Sequence, residues 1–151
     1  MDDTTSTPAV VLLSGGLDSS VLLHYVARTL GRAPIHAVSF DYGQRHAKEI
    51  ECAQWQADAV DAAAYRVIDV TFLGELVKGA SALVAGGKVV PDLSDLEASQ
   101  LDQPPTYVPN RNMILLSVAA AYSETQGIRD IFYGAQALDE YGYWDCTTDF
   151  L

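Results

Sequence analysis

The sequence predicts an α/β fold, an open and mainly parallel sheet with helices on both faces. Three observations lead there. Apolar runs of strand length, Ala9–Leu13, Ile35–Phe40, Tyr65–Val70 and Ile128–Tyr133, alternate with longer stretches of helical periodicity, the β-α-β pattern of a parallel sheet. The first run is apolar throughout instead of alternating, as expected of a central strand covered on both sides. It ends in a Gly-Gly turn from which a helix starts at once: Ser14-Gly15-Gly16-Leu17-Asp18-Ser19-Ser20.

Composition bounds the rest. At 151 residues the chain has the length of one domain, 1–151, with a polar leader at 1–8 expected to be frayed. Hydrophobic residues make up 49% and charged residues 19%, a globular balance. A formal charge of −11 argues against nonspecific binding of nucleic acid or an anionic membrane, because both favour basic surfaces. A local basic pocket built from Arg45, His46, Lys48 and Arg111 stays compatible with it. Cys52 and Cys146 have neither a zinc spacing nor the count of a disulfide framework. No run is long enough to cross a bilayer and no signal-peptide pattern stands at the start, so a cytoplasmic protein is expected.

Taken in order, each element has a local reason. Helix one should run from about Asp18 to Leu30, with Leu22, Val26 and Leu30 on one stripe, widened by Leu23 and Ala27. Gly31 stands where a helix C′ residue belongs. Asp18 is placed either to cap this helix or to hold a cation such as Mg²⁺. After the second strand comes Phe40-Asp41-Tyr42-Gly43-Gln44-Arg45-His46, which reads as a ligand-binding segment or as a surface turn made by Asp41 and Gly43. Ligands collect beyond the carboxyl ends of parallel strands, and this segment lies there.

Helix two spans roughly Ala47–Ala62, with Ile50, Ala53, Ala57 and Val60 inward and Cys52 expected as a buried small hydrophobe. A short helix over Thr71–Lys78 should pack Phe72, Leu73 and Leu76. Residues 79–105, with Gly86-Gly87, Pro91 and Pro104-Pro105, read as an irregular loop. Pro109 keeps Val108 extended, and Asn110 is a good N-cap for a helix from Arg111 to about Gln126. That helix is apolar almost all round, which predicts burial between layers. Arg111 is misplaced by the dipole rule, since cations prefer C-termini, and an anionic ligand there would resolve the conflict. The last segment, Gln136–Leu151, offers Tyr143 and Trp144 for stacking a heterocycle and Asp139 or Asp145 for its N–H groups or a metal. A packed aromatic tail is the equal alternative.

The Gly-Gly turn carries the sharpest functional signal. Its glycines let the backbone turn tightly, and the helix after it offers unpaired N–H groups and a positive dipole end to an anion. Ser14 and Ser19 add hydroxyls. The G-x-x-x-x-G-K-[ST] and G-x-G-x-x-G loops are both excluded, because no Lys follows and no third Gly is in register. Ser14-Gly15-Gly16-Leu17-Asp18-Ser19 instead resembles the signature loop of the N-type ATP pyrophosphatases, or PP-loop enzymes, which bind ATP phosphates there and transfer AMP to a substrate oxygen.

Four segments in order, Ser14–Ser19, Phe40–His46 with Glu49, Thr106–Asn112, and Gly134–Leu151 with Asp139, Gly142-Tyr143 and Asp145-Cys146, resemble the 7-cyano-7-deazaguanine synthase family of that group. The resemblance covers nearly the whole chain. It implies an adenine nucleotide alpha hydrolase-like fold and a ligase that turns 7-carboxy-7-deazaguanine and ammonia into the nitrile with ATP and Mg²⁺. By motif match, Leu13, Ser14, Gly15, Gly16, Leu17, Asp18, Ser19 and Phe40 would bind the nucleotide, with Asp18 on Mg²⁺. Ser14, Asp18, Arg45, His46 and Arg111 would act in catalysis, and Tyr42, Gln44, Asn110, Arg111, Asn112, Asp139, Tyr143 and Asp145 would hold the substrate.

The same resemblance implies a zinc-ligating cysteine cluster, and the sequence stops at Leu151 without one. A homodimer, or a partner chain supplying that part, is the corresponding expectation. Trp144 stands where the family commonly has Pro, and Thr147-Thr148 where it commonly has Arg-Pro. Two alternatives stay open: a PP-loop relative acting on a different carboxylate in nucleic-acid modification or defence, and a non-catalytic or split ATP-binding module.

Overall fold

The computed structural model describes residues 6–42, 48–76, 107–135 and 143–150. Four strands form one sheet in the order β3-β2-β1-β4, with β1 at Ala9–Leu12, β2 at Ile35–Asp41, β3 at Ala64–Asp69 and β4 at Asp130–Phe132. β1 pairs in parallel with both neighbours, Ala9 lying opposite Ile35 on one side and Asp130 on the other. Ala9, Val10 and Val11 are all fully buried, so successive side chains on both faces are covered. That is why the strand reads as an unbroken apolar run. Each fully buried Val or Leu contributes about 1.5–3 kcal/mol.

Between the strands lie α1 (Leu17–His24), continued by a π-helical turn at Tyr25–Thr29, α2 (Lys48–Ala59), α3 (Thr71–Leu76) and α4 (Arg111–Gln126). A 3₁₀ turn occupies Trp144–Cys146. The helix predicted to continue regularly to Leu30 therefore changes its winding after His24. Leu23 and Val26 are buried as expected, Leu30 is exposed, and Gly31 ends the element at φ +62°.

Packing divides the described chain into two compact units. The first, residues 1–40, 47–68 and 117–134, holds the main core: Val11, Leu13, Leu23, Val26, Ile35, Ala37, Ala53 and Ala57. Arg32 closes its amino-terminal sheet edge, with Nη1 2.6 Å from Asp130 Oδ2 and the guanidinium over the Phe132 ring. The second unit, residues 41–46, 69–116 and 135–151, has a smaller core in which Tyr42 and Ile114 pack against Leu73 and Val108.

Three expectations about burial are corrected. Cys52 is exposed on α2, because the buried face of that helix is the Ala53–Ala57 stripe. In α3 Leu73 alone of the three apolar side chains goes inside, while Phe72 and Leu76 face water. The apolar α4 is not enclosed on all sides: Ala119 and Ser123 are its buried residues, and Met113 is exposed. Among the described residues no helix is long and apolar enough to cross a membrane.

Candidate nucleotide-binding site

The strand order is 3-2-1-4, so the sheet grows one way from β1 through β2 and β3 and the other way to β4. Crevices for ligands open at such a reversal, beyond the carboxyl ends of the strands. Ser14-Gly15-Gly16 lies there, at the end of β1. Gly134 follows the end of β4, and a Cβ on it would stand 3.7 Å from the Ser19 backbone nitrogen. The two strand ends and the α1 N-terminus thus meet at one place in the first unit. Gly134 opens the Gly134–Leu151 segment of the sequence analysis, but no role at the site was expected of it; its place just past a strand end was the signal.

The loop is built mainly from its own polar atoms. Ser14 Oγ and Ser19 Oγ are 3.0 Å apart, the Ser14 N–H donates to Ser19 Oγ at 3.1 Å, and the Gly16 N–H donates to Ser14 Oγ at 3.3 Å. Ser19 and Ser20 both donate to the Gly16 carbonyl, at 3.2 and 2.7 Å. Gly15 adopts φ +84°, and a Cβ there would come within 2.0 Å of the Glu49 carbonyl oxygen in α2. No other residue type fits that seat. Gly16 is the N-cap and supplies no capping side chain, so the first-turn N–H groups of Leu17, Asp18 and Ser19 have no intrahelical acceptor.

Asp18 is corrected in one respect. It sits in the first turn as an exposed side chain and does not cap the helix; Gly16 occupies that position. Leu13 and Phe40 are buried at the ends of β1 and β2, which makes them structural walls. Leu17 is exposed.

In the second unit the expected residues fall into two groups. Arg111, the first residue of α4, holds its guanidinium 6.0 Å from the centroid of the half-buried Tyr42 ring. Asn110 precedes it at φ +52°, and its carbonyl accepts the Ile114 N–H at 3.1 Å. The side-chain acceptor for the first turn is not Asn110 but Asp145, whose Oδ2 takes the Asn112 N–H at 2.8 Å. The Asn112 amide returns a bond to the Asp145 carbonyl at 3.0 Å and reaches Cys146 Sγ at 3.4 Å.

Asp145 is almost fully buried and does from 33 residues away what an N-cap does locally. Its carboxyl group stands at the helix end where an anionic ligand is expected. Tyr143 stands edge-on to Tyr107 at 6.1 Å, and Trp144 edge-on to Phe150 at 5.3 Å. Tyr107, within the Thr106–Asn112 segment, accepts the Asn110 N–H on its hydroxyl at 3.5 Å. Gln44, Arg45, His46 and Asp139 lie outside the described residues. Among those described, no group of three or more His, Cys, Asp or Glu side chains is placed to hold a metal.

Residues 8–151 match the family described as queuosine biosynthesis protein QueC. The chain belongs to that family. A 7-cyano-7-deazaguanine synthase of Rhodopirellula baltica is 48% identical over 143 residues, covering 95% of this chain and 55% of that protein. One of Kineococcus radiotolerans is 49% identical over 146 residues, covering 95% and 60%. The chain thus spans a little over half the length of the curated relatives it matches. Among solved structures, the NH3-dependent NAD synthetase of Campylobacter jejuni, in complex with a nitrate ion, superposes with a TM-score of 0.56 at 17% identity, over 93% of this chain and 54% of that one. This QueC-family chain therefore shares the α/β fold of that synthetase, in keeping with its parallel sheet.

Proposed function

We propose that this chain is the nucleotide-binding part of an ATP-dependent carbon–nitrogen ligase that converts 7-carboxy-7-deazaguanine and ammonia to 7-cyano-7-deazaguanine. The observation that carries the reading is the Ser14–Ser19 loop. It combines a glycine seat closed to any side chain, paired hydroxyls and an uncapped helix start at a sheet reversal. The names of the QueC-family relatives support the substrate class.

A carboxylate is a poor electrophile, so it must first be adenylated, with pyrophosphate leaving. Ammonia then displaces AMP to give an amide. A second adenylation on the amide oxygen lets AMP leave together with that oxygen, and loss of protons from nitrogen completes the nitrile. Charge accumulates on each departing pyrophosphate, and preorganised N–H and O–H donors stabilise it without reorganising. Ser14, Gly15, Gly16, Leu17 and Ser19 fill that role, with Leu13 and Phe40 as the walls beneath the nucleotide.

Asp18, exposed in the first turn, suits Mg²⁺, which binds through one or two carboxylates plus phosphate oxygens and keeps several waters. When bound, Mg²⁺ neutralises phosphate charge. Arg45, His46 and Arg111 serve the substrate carboxylate and the phosphates. Tyr42, Gln44, Asn110, Asp139 and Tyr143 hold the deazapurine, while Asn112 and Asp145 support them by fixing the start of α4. The substrates are small molecules, with no direct contact to nucleic acid or membrane.

A second reading, a relative that stops at the amide or adenylates a different carboxylate, is favoured by the Trp144 and Thr147-Thr148 departures in the substrate segment. Mass spectrometry of the purified protein with ATP, Mg²⁺, ammonium and 7-carboxy-7-deazaguanine tests both. AMP with the nitrile is the expected result. AMP with the amide alone moves the assignment to the second reading, and the absence of AMP overturns action on this carboxylate.

A further inference from the structure

Beneath the phosphate loop, in the same unit, two hydroxyls form a chain that the proposed chemistry does not use. Ser39, buried in β2, donates to the Leu13 carbonyl at 2.5 Å. Tyr65, on β3, donates to Ser39 Oγ at 2.9 Å and also stands 3.2 Å from the Ile50 carbonyl in the first turn of α2. Leu13 is the last residue before the loop, and its N–H is already fixed to the Val38 carbonyl at 2.8 Å. Ile50 follows Glu49, the residue whose carbonyl closes the Gly15 seat. One phenolic proton is therefore shared between Ser39 Oγ, which itself bonds the floor of the loop, and the Ile50 carbonyl in the wall against which the loop turns.

We propose that Tyr65 is a positioning residue for the ATP phosphates, setting through Ser39 and Ile50 the gap in which Ser14–Gly16 turns. The inference rests on the ATP reading given above. Its physical basis is the tolerance of the seat: Gly15 sits so tightly against Glu49 that a small shift of the α2 first turn, toward or away from β1, must move the loop. Leu13 is held on one side by the sheet ladder and on the other by Ser39, so its carbonyl is a fixed point against which α2 can be set. Burial pushes the Tyr65 phenol up, against the Ser39 bond that pulls it down, so the ring stays protonated and donating. A ring that merely filled space would need no donor, and Phe would serve equally.

Tyr65→Phe removes the hydroxyl and keeps the ring. Titration calorimetry of the purified protein should show ATP affinity about fivefold to tenfold lower, the size expected for one lost hydrogen bond, with adenosine affinity unchanged. Ser39→Ala should give a loss of similar size. The double variant should lose less than the product of the two, because both act through one chain. Amide exchange at Ser14 and Gly16, whose N–H groups bond to Ser19 and Ser14, should be faster in Tyr65→Phe. ATP affinity equal to the parent's overturns the proposal, whatever happens to the melting temperature. If the parent binds no ATP, the ligase reading falls by itself and exchange decides: faster at Ser14 and Gly16 upholds control of the loop by Tyr65, and unchanged exchange overturns it.

Discussion

The phosphate loop of the first unit and the start of α4 in the second solve one problem in opposite ways. Each must present a helix N-terminus with polar groups around it. The loop does so almost entirely from within seven residues, with Ser14, Ser19 and Ser20 satisfying backbone atoms of Ser14 and Gly16. The α4 start borrows its cap from Asp145, whose carboxylate is carried in by the 3₁₀ turn far along the chain. A helix end left bare can bind an anion, whereas one capped by a buried carboxylate has its anion already. On the proposed ATP reading, the difference favours α1 as the seat of the phosphates and leaves the α4 start as a frame for Arg111 on Tyr42.

Gly15→Ala tests the first half of that contrast and should have the largest effect. Its Cβ would meet the Glu49 carbonyl at 2.0 Å at a φ that L residues rarely adopt. Overpacking and backbone strain together predict a loss of about 2–4 kcal/mol in urea unfolding. Gly31→Ala is the control, since Gly31 also has a positive φ but nothing within 4 Å, and about 1 kcal/mol is expected there. Equal losses at the two positions would show that the α2 seat has no part in fixing the loop.

Asp145→Ala probes the other half. Leaving the Asn112 N–H without its acceptor at a part-buried helix start should cost about 1–3 kcal/mol, with faster amide exchange at Asn112. Asn110→Gly should be neutral or slightly stabilising, because Gly relieves φ +52° and the capping oxygen comes from elsewhere. The reverse ranking would restore Asn110 as the cap and return Asp145 to the substrate.

The same contrast explains what could be read from the sequence. The strands, α2, α4 and the Gly31 stop were legible because each rests on local periodicity or a single residue's conformational preference. So was the loop, whose hydrogen bonds span five residues or fewer. Asp145 was legible as a site residue but its bond to the Asn112 N–H was not, since a bond between positions 112 and 145 leaves no mark in either neighbourhood. Burial failed for a related reason. Cys52, Phe72 and much of α4 are apolar, but which apolar residues go inside depends on the neighbours that tertiary packing brings, and single exposed apolar side chains are common. The π-helical turn at Tyr25–Thr29 likewise has no signature in residue spacing.

A smaller effect is expected at the far end of the first unit. Arg32 and Asp130 are partly exposed, at 26% and 39%. Their coupling in a double-mutant cycle should be at most about 1 kcal/mol and should fade in high salt. ATP affinity should not change, because the pair lies at the amino ends of the strands, opposite the loop. A drop in ATP affinity on Arg32→Ala would mean that contacts beyond the loop, the Ser39–Tyr65 pair and the α2 start reach the phosphate site.

The smallest effect lies in the second unit and asks whether all of its helix starts depend on distant partners. Asp69 Oδ1 accepts the Thr71 N–H at 2.9 Å and the Thr71 hydroxyl at 2.7 Å, a local turn at the start of α3. The Thr71 backbone bond, then its hydroxyl, hold the Asp69 carboxyl below the ordinary aspartate range of about 3.8. A depressed folded-state value means that the stabilisation is fully present above the unfolded-state value and is lost as pH falls through the folded one. The Thr71 amide resonance, followed on acidification, should therefore titrate with a midpoint below the ordinary value, and Asp69→Asn should flatten that titration. Because the group is fully exposed, global stability should hardly respond. A midpoint at or above the ordinary value would mean that α3, like α4, is held at its start by something other than its own sequence.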